Sequence, residues 1–258
     1  MACCPSFFNV SSGVPQGSHL GPILFILYIN DLPSVFENSE CKIYADDVKI
    51  YRSIKSVNDS QLLQTDLNAF NEWCLVNKLF LNIDKCKVIN FTRKNVTLIF
   101  PYHFDGIVLN IVDKTLDLGI YIDCKLNFKS HIDYILNRAN SALGFIYRES
   151  RELSDRYCLR ALFYALVRSL LEYACPVWSP IYVIDKTRLE SVQRRFLRFA
   201  LRNLHWSDPL QLPSYDHRLA LLNMPSLERH REFIGLSFIC NLLNYKVDIP
   251  KNFGKITF

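Results

Sequence analysis

The hydrophobic period of this chain changes once, near residue 125, and that change limits the fold more than any other feature. Before it, apolar and polar residues alternate in short stretches such as "CKIYADDVKIY" (41–51), "LFLNIDKCKVINF" (79–91) and "LDLGIYID" (116–123). Alternation with period two marks half-buried strands. After it, apolar residues recur every three or four positions. Ile132, Ile135, Leu136, Ala139, Leu143 and Ile146 form one stripe, and Leu159, Leu162, Phe163, Leu166, Leu170 and Leu171 form another. The pattern predicts a third helix over about 186–203. A last helix is expected near 228–245, after a Pro-containing connection at 207–215. The expectation is an α+β chain with a mixed part at 1–125, a helical region at 126–206 and a C-terminal helical region at 207–258.

Local signals refine this. Three of the eight glycines fall in "GVPQGSHLG" (13–21), ahead of the apolar run 22–29. Pro22 suits a first helical turn, so a loop leading into a short buried helix is expected. In 41–51 the alternation predicts a hairpin whose two-residue turn is Asp46–Asp47. The cluster "NDS" (58–60) reads as a cap for a helix with Leu62, Leu63, Leu67, Phe70, Trp73 and Cys74 at helical spacing. Ser130 and Ser154 read as caps of the two following helices.

Half of the residues are hydrophobic and 21% are charged, a globular composition. The longest apolar run, "ILFILYI" (23–29), is too short to span a bilayer, and the basic-poor "MACCPSFF" does not read as a secretory signal. Nine scattered cysteines without a C-x-x-C, and six histidines without helical metal-ligand spacing, argue against zinc. They favour a reduced, intracellular setting, nuclear or cytoplasmic. His131 and His205 read as packing or surface residues. Residues 1–130 carry 12 Lys/Arg against 13 Asp/Glu, and residues 131–258 carry 18 against 12, so the second half is the one suited to an anion such as nucleic acid.

Two features carry chemistry on residue type alone. Adjacent Asp46 and Asp47 are either ordinary turn aspartates or paired carboxylates whose repulsion a divalent cation would relieve. On the expected third helix Arg188, Arg194, Arg195, Arg198 and Arg202 share one arc, with Leu189, Val192, Phe196, Phe199 and Ala200 opposite. Such a face is either solvated or meets a nucleic-acid backbone.

The order of segments goes further. "SSGVPQGSHLGPILFILYINDLP", "YADD", "LNIDKCKVINF" and "LGIYID" resemble, in order and spacing, the reverse transcriptases of non-LTR (LINE-like, jockey-type) retrotransposons. The resemblance continues through "LFYALVRSLLEYACPVW", "LESVQRRFLRFAL" and "RLALLNMPSLERHREF", nearly the whole chain. It implies a truncated polymerase palm, an antiparallel sheet with helices, followed by a helical thumb-like region. It implies that Asp46 and Asp47 are polymerase-site carboxylates holding Mg²⁺, or Mn²⁺ in its place, with Tyr44 and Ala45 completing that motif. By the same resemblance, Gly13, Pro15, Gln16, Gly17 and Ser18 lie against template and incoming nucleotide, and Lys85 lies near the departing pyrophosphate. Leu118 and Gly119 support the primer end. Local readings stand beside these: a tight turn before a helix, a solvated lysine, and an apolar strand with a turn glycine.

The implied partners are an RNA template, a DNA primer and, in the intact parent, deoxynucleoside triphosphates; no membrane is implied. The family pattern also has a further aspartate on a strand upstream of the "GVPQGS" loop, which these residues lack. A catalytically incomplete chain is therefore expected, with the sheet edge beside the Asp pair left open to self-association. The other readings are a non-catalytic nucleic-acid-binding remnant and a pseudogene product.

Overall fold

The computed structural model describes residues 13, 17–93, 98–202, 213–244 and 246–247. The chain divides into two compact units, Met1–Asp113 and Lys114–Phe258. Helices and short strands are mixed, as an α+β chain requires, but the strands form four separate two-stranded ribbons, three antiparallel and one parallel. Among the described residues no helix is long and apolar enough to cross a membrane.

The first unit is organised around one long helix. Helix α1 (Gly21–Tyr28) and a 3₁₀ turn (Leu32–Val35) lead into strands β1 (Glu40–Tyr44) and β2 (Asp47–Tyr51). Helix α2 (Val57–Val76) follows, then a 3₁₀ turn (Ile83–Lys85) and strands β3 (Lys87–Val88), β4 (His103–Phe104), β5 (Ile107–Val108) and β6 (Asn110–Ile111). β3 pairs with β6 in parallel and β4 pairs with β5 antiparallel. Leu67, Phe70 and Cys74 of α2 pack with Leu32, Tyr102, Phe104 and Leu109 in a small core. Ile43, Val48 and Ile50 of the β1–β2 ribbon lie against it.

Several expectations change here. Helix α1 has the expected bounds and proline but buries none of its residues: Ile23, Leu24, Ile26 and Leu27 are exposed. Its apolar residues run round all sides, so no single face can be tucked against a neighbour. The cap of α2 is Ser56, not the "NDS" cluster. Ser56 accepts the Asp59 N–H while the Asp59 carboxylate accepts the Ser56 N–H, a reciprocal capping box. Segment 79–91 is strand only at Lys87–Val88, because the Asn82 carbonyl takes the Lys85 N–H and closes a turn.

The second unit opens with an antiparallel ribbon, β7 (Lys114–Asp117) and β8 (Ile120–Asp123), and is otherwise helical. Helix α3 (Lys129–Glu149) is followed by α4 (Arg156–Phe163), a π-helical turn (Tyr164–Arg168), α5 (Ser169–Glu172) and α6 (Cys175–Trp178). Then come α7 (Val183–Ala200), α8 (Tyr215–Leu221) and α9 (Leu227–Leu243). The stripes expected on α3 and α4 supply much of the core, with Phe163 stacked on Phe196 of α7 at 4.2 Å between ring centroids. His131 is a packing residue: it lies edge-on to Trp178, and its Nδ1 accepts the Tyr121 N–H. Burial holds its pKa below the usual value.

The serine caps expected here are displaced by neighbours. Asp123 gathers the N–H groups of Lys125, Asn127 and Phe128, and Asn127 Oδ1 takes the Lys129 N–H, so α3 starts one residue before Ser130. Asp155, not Ser154, caps α4 by accepting the N–H groups of Tyr157 and Cys158. Helix α7 starts three residues earlier than its arginine pattern suggested, with Asp185 in the positively polarised first turn. Most of the connection expected at 207–215 lies outside the described residues.

The capping box makes α2 sensitive to acid. The Asp59 pKa is lowered from 3.8 to about 2, first by the Lys55 N–H, then by the Ser56 hydroxyl and Arg52. A lowered folded-state pKa means its stabilisation is complete above pH 3.8 and lost as the pH falls towards 2. An NMR titration is expected to place the Asp59 midpoint near the lower value; a midpoint at 3.8 would contradict the box. Ser56→Ala is expected to cost roughly 1 kcal/mol in chemical denaturation.

Candidate functional site

The Asp pair sits at the tip of the β1–β2 ribbon, one residue out of the expected register. The turn is Ala45–Asp46, and Asp47 heads β2 opposite Tyr44. Ala45 takes the left-handed conformation that the turn needs (φ +50°), which its single methyl tolerates better than a branched side chain would. Cys41 and Ile43 then face Ile50 and Val48, and the Tyr51 hydroxyl donates to Glu40 Oε2 at the ribbon's far end.

Tyr44, Asp46 and Asp47 are all exposed. Among the described residues neither the Asp46 nor the Asp47 carboxylate makes an ion pair or hydrogen bond, the Asp47 backbone being paired with Tyr44. Nor do three or more His, Cys, Asp and Glu side chains form a metal-holding group among them.

What holds this ribbon in place is Asp66, buried on the inner side of α2. Its carboxylate accepts the N–H of Glu37 (3.3 Å), the N–H of Asn38 (3.0 Å) and the Asn38 side-chain amide (3.1 Å). Arg52, just after β2, donates to the Asn38 carbonyl and pairs with Asp59 at 3.1 Å. Both ends of the ribbon are thus tied to α2. Sequence reasoning missed Asp66, although an aspartate between Leu63 and Leu67 on an apolar stripe is a readable signal.

The glycine loop is described only in part. Pro15 and Gln16 lie outside the described residues. Gly13 and Gly17 have φ of +86° and +84° with open space where a Cβ would point, and Ser18 Oγ accepts the Leu20 N–H at the start of α1. Helix α1 is also tied to α2: the Tyr28 hydroxyl donates to the Asn77 carbonyl, and after the helix Asp31 accepts the Trp73 indole N–H at 3.2 Å. Lys85 is exposed on its 3₁₀ turn, whose neighbours Ile83 and Cys86 pack on the same small core.

In the second unit Leu118 and Gly119 form the two-residue turn of the β7–β8 ribbon, with φ of +44° and +83°. The Tyr173 hydroxyl donates to the Leu118 carbonyl at 3.1 Å, and a Cβ on Gly119 would stand 3.4 Å from the Tyr173 ring.

The five arginines of the expected arc divide by what they touch. Arg188 pairs with Asp133 and Asp185. Arg202, past the end of α7, donates to the carbonyls of Phe199, Ser150, Arg151 and Leu153. Arg194, Arg195 and Arg198 are exposed, Arg194 over the Tyr215 ring and Arg195 donating to Asn140. The opposite face of α7 is structural. Glu190, buried, accepts the first N–H groups of α9 from Leu227 (3.1 Å) and Glu228 (3.2 Å), and the Tyr215 hydroxyl. Gln193 donates to the Pro225 carbonyl and to the Tyr215 oxygen.

Comparisons with known proteins relate the sequence to one family. The family model described as reverse transcriptase (RNA-dependent DNA polymerase) matches residues 3–129. A Drosophila melanogaster protein named as a probable RNA-directed DNA polymerase from transposon X-element is 27% identical over 200 residues, 74% of this chain and 22% of that protein. The RNA-directed DNA polymerase from mobile element jockey of Drosophila funebris is 32% identical over 143 residues, 50% of this chain and 15% of that protein. An uncharacterized Caenorhabditis elegans protein is 32% identical over 140 residues, 54% of this chain and 68% of it. The chain therefore spans about a fifth of the length of the first two transposon relatives it matches. No solved structure matches the chain.

Proposed function

The chain belongs to the reverse transcriptase (RNA-dependent DNA polymerase) family of non-LTR retrotransposons, and from that premise we propose that it is the palm hairpin and thumb of an RNA-directed DNA polymerase. In this reading residues 1–125 are palm, 126–206 thumb-like and 207–258 a C-terminal helical region. The observation that carries it is the pair Asp46 and Asp47, presented at a ribbon tip with no competing partner among the described residues.

Reverse transcriptases generally use divalent metal ions and bind a nucleic-acid template and primer. The donors at the tip fit such an ion: they are carboxylate oxygens, exposed, and not engaged by a lysine or arginine among the described residues. Hard oxygen ligands suit Mg²⁺, which keeps coordination positions open for phosphate oxygens; Mn²⁺ can replace it. When bound, such ions stabilise the attacking 3′-hydroxyl and the departing pyrophosphate of nucleotidyl transfer.

The rest of the work falls to the chain. The ribbon fixes both carboxylates relative to α2. Gly13, Gly17 and Ser18, with Pro15 and Gln16, border the template and the incoming deoxynucleoside triphosphate, and the absence of side chains at the glycines allows close approach. Lys85 offers a positive charge to the pyrophosphate, and the Leu118–Gly119 turn braces the primer. The exposed arginines of α7 contact the nucleic-acid backbone without regard to sequence. Those arginines also favour a second reading, a chain that binds nucleic acid without copying it.

Primer extension on an RNA template with Mg²⁺ or Mn²⁺ separates the two. The 258-residue chain alone is expected to add no nucleotide, because two-metal chemistry needs both ions held in fixed geometry and the tip offers two carboxylates. Incorporation that disappears in Asp46→Ala would establish the polymerase and overturn that expectation. Mn²⁺ is nevertheless expected to broaden NMR signals of residues 44–48, and not those of the Asp46→Asn, Asp47→Asn double variant. Equal broadening in both would remove the metal role.

We also propose that the chain self-associates along its β1–β2 ribbon. Among the described residues the outer edge of each strand pairs with no further strand, and unpaired edges template pairing with another chain. Sedimentation velocity is expected to show mass rising with concentration, with protection of residues 41–51 from hydrogen exchange rising in parallel. A monomer at every concentration would exclude this.

A further inference from the structure

Helix α8 carries a charge that nothing among the described residues answers. Arg218 is only 7% exposed, yet its Nε and Nη1 have no hydrogen-bond partner among the described residues. Donors buried in this way are costly unless something accepts from them. Among the described residues no carboxylate does. The charged groups acting on Arg218 most strongly are two of like sign, the guanidiniums of Arg198 and Arg194 on α7. Burial, and then these two neighbours, pull its pKa below the ordinary arginine value. The carboxylate at this corner, Glu190, is engaged by Leu227, Glu228 and Tyr215.

The geometry gathers these groups at one place. Arg194 and Arg198 are four residues apart on α7 and share a face. Tyr215 and Arg218 stand one turn apart on α8. The Tyr215 ring links the two helices, because Arg194 lies 4.5 Å over its centroid while its hydroxyl is tied to Glu190 and Gln193. The result is one buried guanidinium with donors unused among the described residues, and two exposed ones beside it. Three guanidiniums exceed what a single peptide carboxylate would balance. They match a phosphate group, whose several oxygens accept from the planar guanidinium fork.

We propose that Arg218, Arg194 and Arg198 form a phosphate clamp at the α7–α8 corner, which takes one backbone phosphate of a bound nucleic acid. It rests on the reading that the exposed face of α7 meets nucleic acid, and it assigns that contact to a place. Arg218 is the positioned donor, and Arg194 and Arg198 close over the anion. The arginine arc alone did not reveal this, because Arg218 belongs to another helix and lies beyond the Pro-containing connection.

The test uses the full chain, wild type and three variants: Arg218→Gln, Arg198→Gln and Arg148→Gln, the last an exposed arginine of α3 that is no part of the proposed clamp. One arm measures fluorescence anisotropy with a 20-nucleotide single-stranded RNA lacking a terminal phosphate, at two salt concentrations. The other measures Tm with inorganic phosphate against chloride at equal ionic strength.

Arg218→Gln and Arg198→Gln are each expected to weaken RNA binding about tenfold, as loss of a charged hydrogen bond does, with under about twofold for Arg148→Gln. Phosphate is expected to raise the Tm of wild type and Arg148→Gln, and not that of the two clamp variants, because only a native site gains from the ligand. If Arg218→Gln fails to fold, Arg198→Gln decides alone. RNA binding that the clamp variants retain in full overturns the proposal. A Tm rise equal in all four proteins overturns it as well. A phosphate effect confined to wild type and Arg148→Gln, with no RNA binding by any protein, upholds an anion clamp for a free phosphate and removes the nucleic-acid reading instead.

Discussion

One buried carboxylate decides where the Asp pair is presented. A two-stranded ribbon has little stability of its own, and the β1–β2 ribbon has only three partly buried apolar side chains, Ile43, Val48 and Ile50, against the small core. Asp66 supplies what burial cannot. By accepting two backbone N–H groups and a side-chain amide from Glu37 and Asn38, it fixes the chain just before β1. Arg52 then ties the chain just after β2 to the same Asn38 and to the capping residue Asp59. Buried donors and acceptors satisfied in this way specify one arrangement, because every alternative leaves some of them unpaired. Helix α1 and the turn after it are attached to the same helix through Asn77 and Trp73. In the first unit α2 is the mount and the proposed catalytic pieces are its fittings.

The second unit applies similar logic with the charges reversed. Helix α7 has one face committed to the fold, where Glu190 and Gln193 hold the start of α9 and the Tyr215 hydroxyl. Its other face carries arginines, but not all of them are available to a ligand. Arg188 answers Asp133 and Asp185, and Arg202 closes the chain end after α3 by donating to three carbonyls there. On α7 the arginines that these pairings leave exposed are Arg194, Arg195 and Arg198, and the proposed clamp adds the buried Arg218 to them. A basic composition thus becomes a local site only after the internal pairings are subtracted.

Some of this was readable from residues alone and some was not. The helical stripes of α3, α4 and α7 and the alternation of the β1–β2 and β7–β8 ribbons were plain, because burial of one face enforces a period on the sequence. The two shorter ribbons between them were not. The segments that carry the family likeness were legible for the same reason that they are motifs, being short, contiguous and spaced in order. Capping was less legible. Ser130 and Ser154 have the right chemistry, but Asn127, Asp123 and Asp155 reach the free N–H groups first, and sequence does not rank such competitors. The burial expected of α1 failed because an apolar run says nothing about whether a neighbour is there to cover it. Asp66, Glu190 and Arg218 were harder still. Each is a charge on an inward face, and its meaning depends on partners that are 25 to 40 residues away or, for Arg218, on another helix.

The central claim is that Asp66 holds the Asp46–Asp47 ribbon, and its removal tests this most directly. Hydrogen exchange by mass spectrometry on the full chain would compare wild type with Asp66→Ala. Losing the acceptor leaves the N–H groups of Glu37 and Asn38 unpaired, at about 1–3 kcal/mol. Because the ribbon opens as a local unit, residues 36–52 are expected to exchange roughly tenfold faster or more, with helices α3, α4 and α7 unchanged. Equal protection of 36–52 in both proteins would show that the ribbon is held by something else, and the account would be wrong.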